Sequence, residues 1–130
     1  MENKFRHLDA RGKGELDYDL KQDILFFKVK DREYVKSIEL DNIVIDIDSE
    51  QFITGIQIFE ASKFLRIDKA FLTKMPTWEF NATIKDNKVE LRLTFTVVAR
   101  NKIIEKISPI IIEKVEDSLP NSEMLLSVAK

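Results

Sequence analysis

A chain of 130 residues, 44% hydrophobic and 34% charged with a net charge of −2, has the make-up of one folded domain, and a domain of that length buries roughly two-thirds of its unfolded surface. The lack of cysteine excludes disulfides, thiolate metal sites and a cysteine nucleophile, and the charge argues against general nucleic-acid binding, which needs many phosphate-neutralising cations. No apolar run approaches the ~18 residues that cross a bilayer, and the start MENKFRHLDARGKG lacks the apolar core of a secretory signal, so a cytoplasmic protein with no membrane role is expected.

Residues 1–14 hold Gly12, Gly14, four basic groups and little periodic apolar content, which predicts a flexible arm or irregular lead-in. Leu16, Tyr18 and Leu20 then alternate with charged residues, and after Lys21-Gln22-Asp23 comes Ile24-Leu25-Phe26-Phe27-Lys28-Val29. This pair predicts a hairpin whose second strand is covered on both faces. Tyr34–Leu40 and Ile43–Asp48 flank the turn pair Asp41-Asn42, with Ile43, Ile45 and Ile47 on one face. Ile53–Phe59 follows, and Gly55 in its middle suggests a bulge or a close approach of another backbone.

From Glu60 to Thr73 the apolar period changes to three or four, which predicts one short helix stopped by Pro76. Trp78, Phe80, Ala82 and Ile84 then alternate strictly with polar residues, turn at Asp86-Asn87, and return as Val89, Leu91, Leu93, Phe95 and Val97. This is the cleanest hairpin of the chain. Ile103–Val115 continues the pattern, with Pro109 suiting an edge position or a break between two strands, while Pro120–Lys130 reads as either a final strand or a frayed helical turn. Ile43–Asp46 and Ile110–Glu113 echo each other in the two halves, as β-branched strand composition readily allows.

Little in the chain points to chemistry. His7 is the single histidine, so triads and multi-histidine metal sites are not available. Arg11-Gly12-Lys13-Gly14 lacks the spacing and the strand-loop-helix setting of a phosphate loop. Asp46, Asp48 and Glu50 begin like a calcium loop, but Gln51 and Gln57 stand where its glycine and bidentate glutamate belong; on a strand these acids are expected to line a solvent face. Phe26, Phe27, Phe80 and Phe95 read as core residues, and Arg92, Thr94, Thr96, Arg100 and Lys102 form the most basic strip. Residues 1–60 carry 9 basic and 14 acidic groups and the remainder 12 and 9, a split that chance readily produces and that could also serve a homo-oligomer contact.

The segment Asp17–Leu65 resembles the family catalogued as domain of unknown function 2283. The matching residues are Tyr18-Asp19, Asp23, Leu25, Phe27, Glu39-Leu40-Asp41, Ile43, Ile45-Asp46-Ile47-Asp48, Ile53, Gly55-Ile56-Gln57-Ile58 and Glu60-Ala61-Ser62. The resemblance implies a compact β meander closed by a short helix and carries over no catalytic residue. It also suggests, by analogy with relatives encoded beside toxin-like proteins, an antitoxin-like binding role. This chain departs from the family in having Asp41-Asn42 at a turn where glycine is common, and in about 65 further residues that could hold its specific function.

The expected architecture is mainly β, antiparallel meander sheets with one short helix, α+β being the alternative. It is one domain over 1–130, with the family-like meander at 17–65 and a second meander at 77–130. The expected core is Leu25, Phe27, Ile45, Ile56, Ile58, Phe64, Trp78, Phe80, Leu91, Leu93 and Phe95. A sheet this large needs more cover than one helix provides, so a homodimer or a protein partner is expected, and the first functional reading is a non-enzymatic protein-interaction module. The alternative is a small-molecule-binding protein or weak enzyme with a pocket between the meanders near Tyr18, Trp78 and Arg92. No cofactor or metal is expected, and nucleic acid ranks last among partners.

Overall fold

The computed structural model describes residues 5–73, 77–99, 102–107, 111–115 and 118–128. The chain is mainly strand: β1 (Arg6–Asp19), β2 (Ile24–Val29), β3 (Tyr34–Leu40), β4 (Ile43–Asp48), β5 (Ile53–Phe59), β6 (Thr77–Lys85), β7 (Lys88–Ala99), β8 (Lys102–Ile107), β9 (Ile111–Lys114) and β10 (Ser122–Val128). Two short helices, α1 (Ala61–Leu65) and α2 (Lys69–Leu72), lie between β5 and β6. All ten strands join one sheet, ordered β3-β4-β5-β2-β1-β10-β6-β7-β8, with β9 also on β7. Every pairing is antiparallel except that of β1 with β10. No helix among the described residues is long and apolar enough to cross a membrane.

Alternation makes these strands, and turn residues set their register. On β6 and β7 the residues Trp78, Phe80, Ala82, Ile84, Val89, Leu91, Leu93 and Phe95 are all buried, and the hairpin closes at Lys85 opposite Lys88. Asp86 and Asn87 both hold positive φ, 51° and 63°, as a two-residue turn matched to strand twist requires. Asp41 does likewise at 49° between β3 and β4.

Of the lead-in expected to be loose, residues 1–4 lie outside the described residues and residues 6–14 are instead part of β1, at the centre of the sheet. Arg6–Ala10 pair in parallel with Ser122–Leu126, whereas Gly14–Asp19 pair antiparallel with Ile24–Val29. The register with β10 breaks between Ala10 and Gly14, where Gly12 has φ 80°. Gly14 lets the strand pass beneath the second half, because a Cβ there would stand 2.6 Å from the Trp78 ring and 3.0 Å from Leu126.

This bend lets the sheet face itself. In a flat sheet β2 and β6, three strand spacings apart, would stand about 14 Å from each other. Yet the Phe27 ring on β2 meets Trp78 edge-on at 4.9 Å and Phe80 at 5.1 Å, so the two inner faces pack on each other. The inner faces of the two meanders thus cover each other, and one core runs through both halves. All of the expected core residues are buried except Phe64, which is only partly so.

The single helix expected over 60–73 is two. Arg66 takes a left-handed conformation (φ 58°), with its N–H on the Lys63 carbonyl and that of Ile67 on the Ser62 carbonyl, which ends α1 before α2 begins. Pro109 lies outside the described residues, but β8 and β9 on either side of it pair with different ends of β7, giving the expected break between strands. The C-terminal stretch is a strand, β10, in the interior of the sheet. Of the two echoed segments, β4 lies between two strands while β9 pairs with β7 alone.

Candidate functional site

Two polar clusters and one concavity stand out in the first half of the chain. The first cluster joins both ends of the family-like segment. Asp23, buried in the turn before β2, accepts the Tyr18 hydroxyl at 2.5 Å, the Ser62 hydroxyl at 2.6 Å and the Ser62 N–H at 3.0 Å. Its backbone carbonyl accepts the Ala61 N–H at 2.9 Å. The first N–H groups of a helix lack intrahelical partners, and Glu60 makes no side-chain cap here. Asp23 therefore caps α1 from 39 residues away in the chain.

The electrostatics follow from that geometry. Burial pushes the Asp23 carboxyl upward, but the hydroxyls of Ser62 and Tyr18 and the Ser62 N–H outweigh it and hold the group below the usual aspartate range. Burial and the neighbouring Asp23 charge raise the Tyr18 phenol far above its ordinary value. These bonds tie the β1–β2 turn to the start of α1 and form a clasp.

The second cluster surrounds the turn after β4. Asp48 accepts the N–H groups of Glu50 and Phe52 at 2.9 and 3.0 Å and pairs with Arg32 at 2.5 Å. The guanidiniums of Arg6 and Arg32 lie 4.2 and 5.7 Å from the Phe52 ring centre. Arg6 donates to the Glu50 carbonyl, and its Nε is buried without a partner among the described residues. Asp46 and Asp48, expected on a solvent face, are thus both buried on the side of β4 opposite Ile45 and Ile47. The reason is local cover: Asp48 folds into its own turn, and Asp46 accepts the Ser37 hydroxyl at 2.6 Å while lying over Gly55. A Cβ on residue 55 would stand 2.8 Å from the Asp46 Oδ2, so the glycine makes room for a carboxylate. Thr54 is the extra residue of the bulge that places it there.

Above Asp46 opens a concavity of about 470 Å³, lined by Phe26, Lys28, Arg32, Glu33, Tyr34 and Asp46 together with Thr54 and Gly55. Sequence reasoning misses it because Arg32 and Glu33 sit in an aperiodic loop and Phe26 reads as core. It lies on the outer face of the first meander, away from the inter-meander position expected for a pocket.

The three residues named from the sequence are not brought together. Tyr18 is engaged by Asp23, Trp78 is buried against Phe27, and Arg92 lies on the opposite face of the β6–β7 hairpin from Trp78. Arg92 instead borders a shallow depression of about 260 Å³ with Arg11, Glu79, Asn81 and Thr94. Thr94 and Thr96 share its face of β7, Lys102 starts β8, and Arg100 lies outside the described residues. The Arg11–Gly14 segment is strand, with Arg11 bonded to Asp9 at 2.8 Å and holding that carboxyl down to about 2. His7 is exposed, 3.3 Å from Glu123. No group of three or more His, Cys, Asp or Glu suited to a metal ion occurs among the described residues.

Comparison with known proteins places part of the chain in a family. A family model described as protein of unknown function (DUF2283) matches residues 15–62, from just after Gly14 to Ser62. A Methanosarcina mazei protein named "Putative hypoxanthine phosphoribosyltransferase" is 31% identical over 90 residues, covering 69% of this chain and 73% of the relative. An uncharacterized protein of Methanocaldococcus jannaschii is 32% identical over 95 residues, covering 72% and 82% respectively. No solved structure matches the chain.

Proposed function

We infer that this chain, which belongs to the family described as protein of unknown function (DUF2283), is a non-enzymatic interaction module that pairs with a second copy of itself along β3. The observation that carries the reading is the place of β3 at the end of the sheet, with no strand of the described residues on its outer side. An open strand edge is a template for another strand. Tyr34 and Val35 at its start are 60% and 66% exposed, the largest exposures among the bulky apolar residues described.

A second copy suits this edge. The register with β4 is interrupted between Tyr34 and Lys36 and is regular from Lys36 to Leu40. A two-fold antiparallel pairing about Ile38 sets Ile38 against its own copy, Ser37 against Glu39 and Lys36 against Leu40. No like charges then stand opposite each other. An antitoxin-like role is the form of this reading in which the added strand comes from a different protein. Two of the buried acids of the first meander have structural tasks that support a non-enzymatic reading: Asp23 caps α1 and Asp48 closes its own turn.

Because the chain has no cysteine, one can be placed at will. Sedimentation at micromolar concentration is expected to give a dimer. A spin label on Glu39→Cys is expected to show dipolar broadening, since the two labelled positions would lie about 7 Å apart along the paired strands. A monomer, or a dimer whose labels do not sense each other, overturns the reading.

A further inference from the structure

The concavity over β4, β5 and β2 combines features that the clasp leaves unused, and it shares Tyr34 with the start of the β3 edge. Asp46 is 4% exposed and has the Ser37 hydroxyl on one oxygen, while the other has no hydrogen-bond partner among the described residues. That oxygen is not among the fully buried unpartnered atoms of the described residues, so it opens onto the concavity, where a donor or cation can reach it. The bulge at Thr54 and the bare Gly55 hold that oxygen at the floor of the cavity. Phe26 and Tyr34 supply aromatic walls.

We propose that this concavity binds a primary ammonium group, accepted by the free oxygen of Asp46 and flanked by the rings of Phe26 and Tyr34. The charges select a cation: Arg32 is already neutralised by Asp48, which leaves Asp46, Glu33 and Lys28 with a balance of one negative charge. The single free oxygen selects the cation's shape. A guanidinium binds best with two parallel bonds to both carboxylate oxygens, whereas an ammonium is a compact charge that one oxygen can hold. Aromatic faces add attraction for such a charge. A volume of about 470 Å³ accommodates a small amine or one lysine side chain. Lys28 is the internal competitor; it is exposed on the rim and forms no ion pair with Asp46. The site does not rest on pairing through β3, since a monomer would hold it equally.

Heteronuclear spectra of the full chain, titrated at constant ionic strength with n-butylammonium and separately with Nα-acetyl-lysine methylamide, test the proposal. Saturable shifts are expected at the amides of Phe26, Lys28, Tyr34, Asp46 and Gly55. Asp46→Asn keeps the shape and is expected to weaken binding roughly tenfold, and Lys28→Ala to strengthen it roughly twofold. Binding of both probes identifies a lysyl side chain as an acceptable source, and binding of butylammonium alone identifies a free amine. If Asp46→Asn fails to fold, Phe26→Leu replaces it, with several-fold weakening expected from loss of the ring. Absence of saturable shifts with either probe, or an affinity that the substitution leaves unchanged, overturns the proposal.

Discussion

Replacing Asp23 tests the strongest local claim made by the structure, that one carboxylate holds the β1–β2 turn to the start of α1. Asp23→Ala removes acceptors for the Tyr18 hydroxyl, the Ser62 hydroxyl and the Ser62 N–H. Hydrogen bonds to a charged group contribute about 1.5–3 kcal/mol each, and a helix cap about 1 kcal/mol. These terms share atoms, and Tyr18 and Ser62 are only partly buried, so water recovers some of the loss. The expected net cost is about 3–4 kcal/mol, read from urea unfolding at neutral pH, with a melting temperature lower by roughly 10–15 °C for a domain of this length. Asp23→Asn keeps the shape and loses the charge, at about 2 kcal/mol. The pH dependence has a definite sign. A carboxyl held below its ordinary value contributes stability that is full above the unfolded aspartate pKa of about 3.9 and lost as pH falls through the lower folded value. The gap between wild type and Asp23→Asn should therefore narrow below about pH 4. A cost under about 1 kcal/mol for Asp23→Ala, or a gap that stays constant into acid, would refute the clasp.

The partner group behaves oppositely: the Tyr18 phenol is raised, so its contribution is full below the ordinary tyrosine value of about 10 and declines above it. Thermal melts from neutral to strongly alkaline pH should show this decline in wild type and less of it in Tyr18→Phe, which should cost about 1–2 kcal/mol at neutral pH. Gly14→Ala should cost about 3 kcal/mol or more, because its Cβ meets both the Trp78 ring and the Ser127 backbone. Denaturant melts followed by tryptophan fluorescence read that loss directly, since Trp78 is the single tryptophan. Asp48→Ala should cost about 2–4 kcal/mol by freeing two turn N–H groups and leaving Arg32 without its close partner, and chemical denaturation measures it.

What the sequence reveals and what it hides differ for physical reasons. The β6–β7 hairpin is legible because one face of each strand is apolar at every second residue and the turn pair Asp86-Asn87 tolerates positive φ. The first half of β1 is illegible because its partner, β10, lies more than a hundred residues away and because Arg6–Gly14 buries only Ala10 and Gly14 fully. Alternation places Asp46 and Asp48 on the face opposite the isoleucines, and that is correct. It does not show that the Ser37 hydroxyl, the turn after β4 and Arg32 cover them. The clasp is spelled out by residues that carry the family resemblance, Tyr18, Asp23 and Ser62, but their contact exists only once β5 has returned beside β2.

The division of labour between the halves follows from where the family match ends. Residues 15–62 begin where β1 turns toward β2 and stop at the residue that closes on Asp23, so the matched segment is bounded by its own clasp. Its apolar face is not closed by that clasp. Phe27 on β2 is covered by Trp78 and Phe80, and the core that includes Leu25, Ile45, Ile56 and Ile58 continues into β6, β7 and β10. Both archaeal relatives align over stretches longer than the matched segment, so part of what lies outside it is shared as well. The residues after 65 thus have a structural task, since they cover the apolar face of the first meander. The features left over for binding, the β3 edge and the Asp46 concavity, lie inside the matched segment, between Phe26 and Gly55. A relative retaining Asp46, Gly55 and an aromatic residue at position 26 should carry the cation site whatever covers its inner face. One that loses Gly55 cannot, because a side chain there would occupy the space of the Asp46 carboxylate.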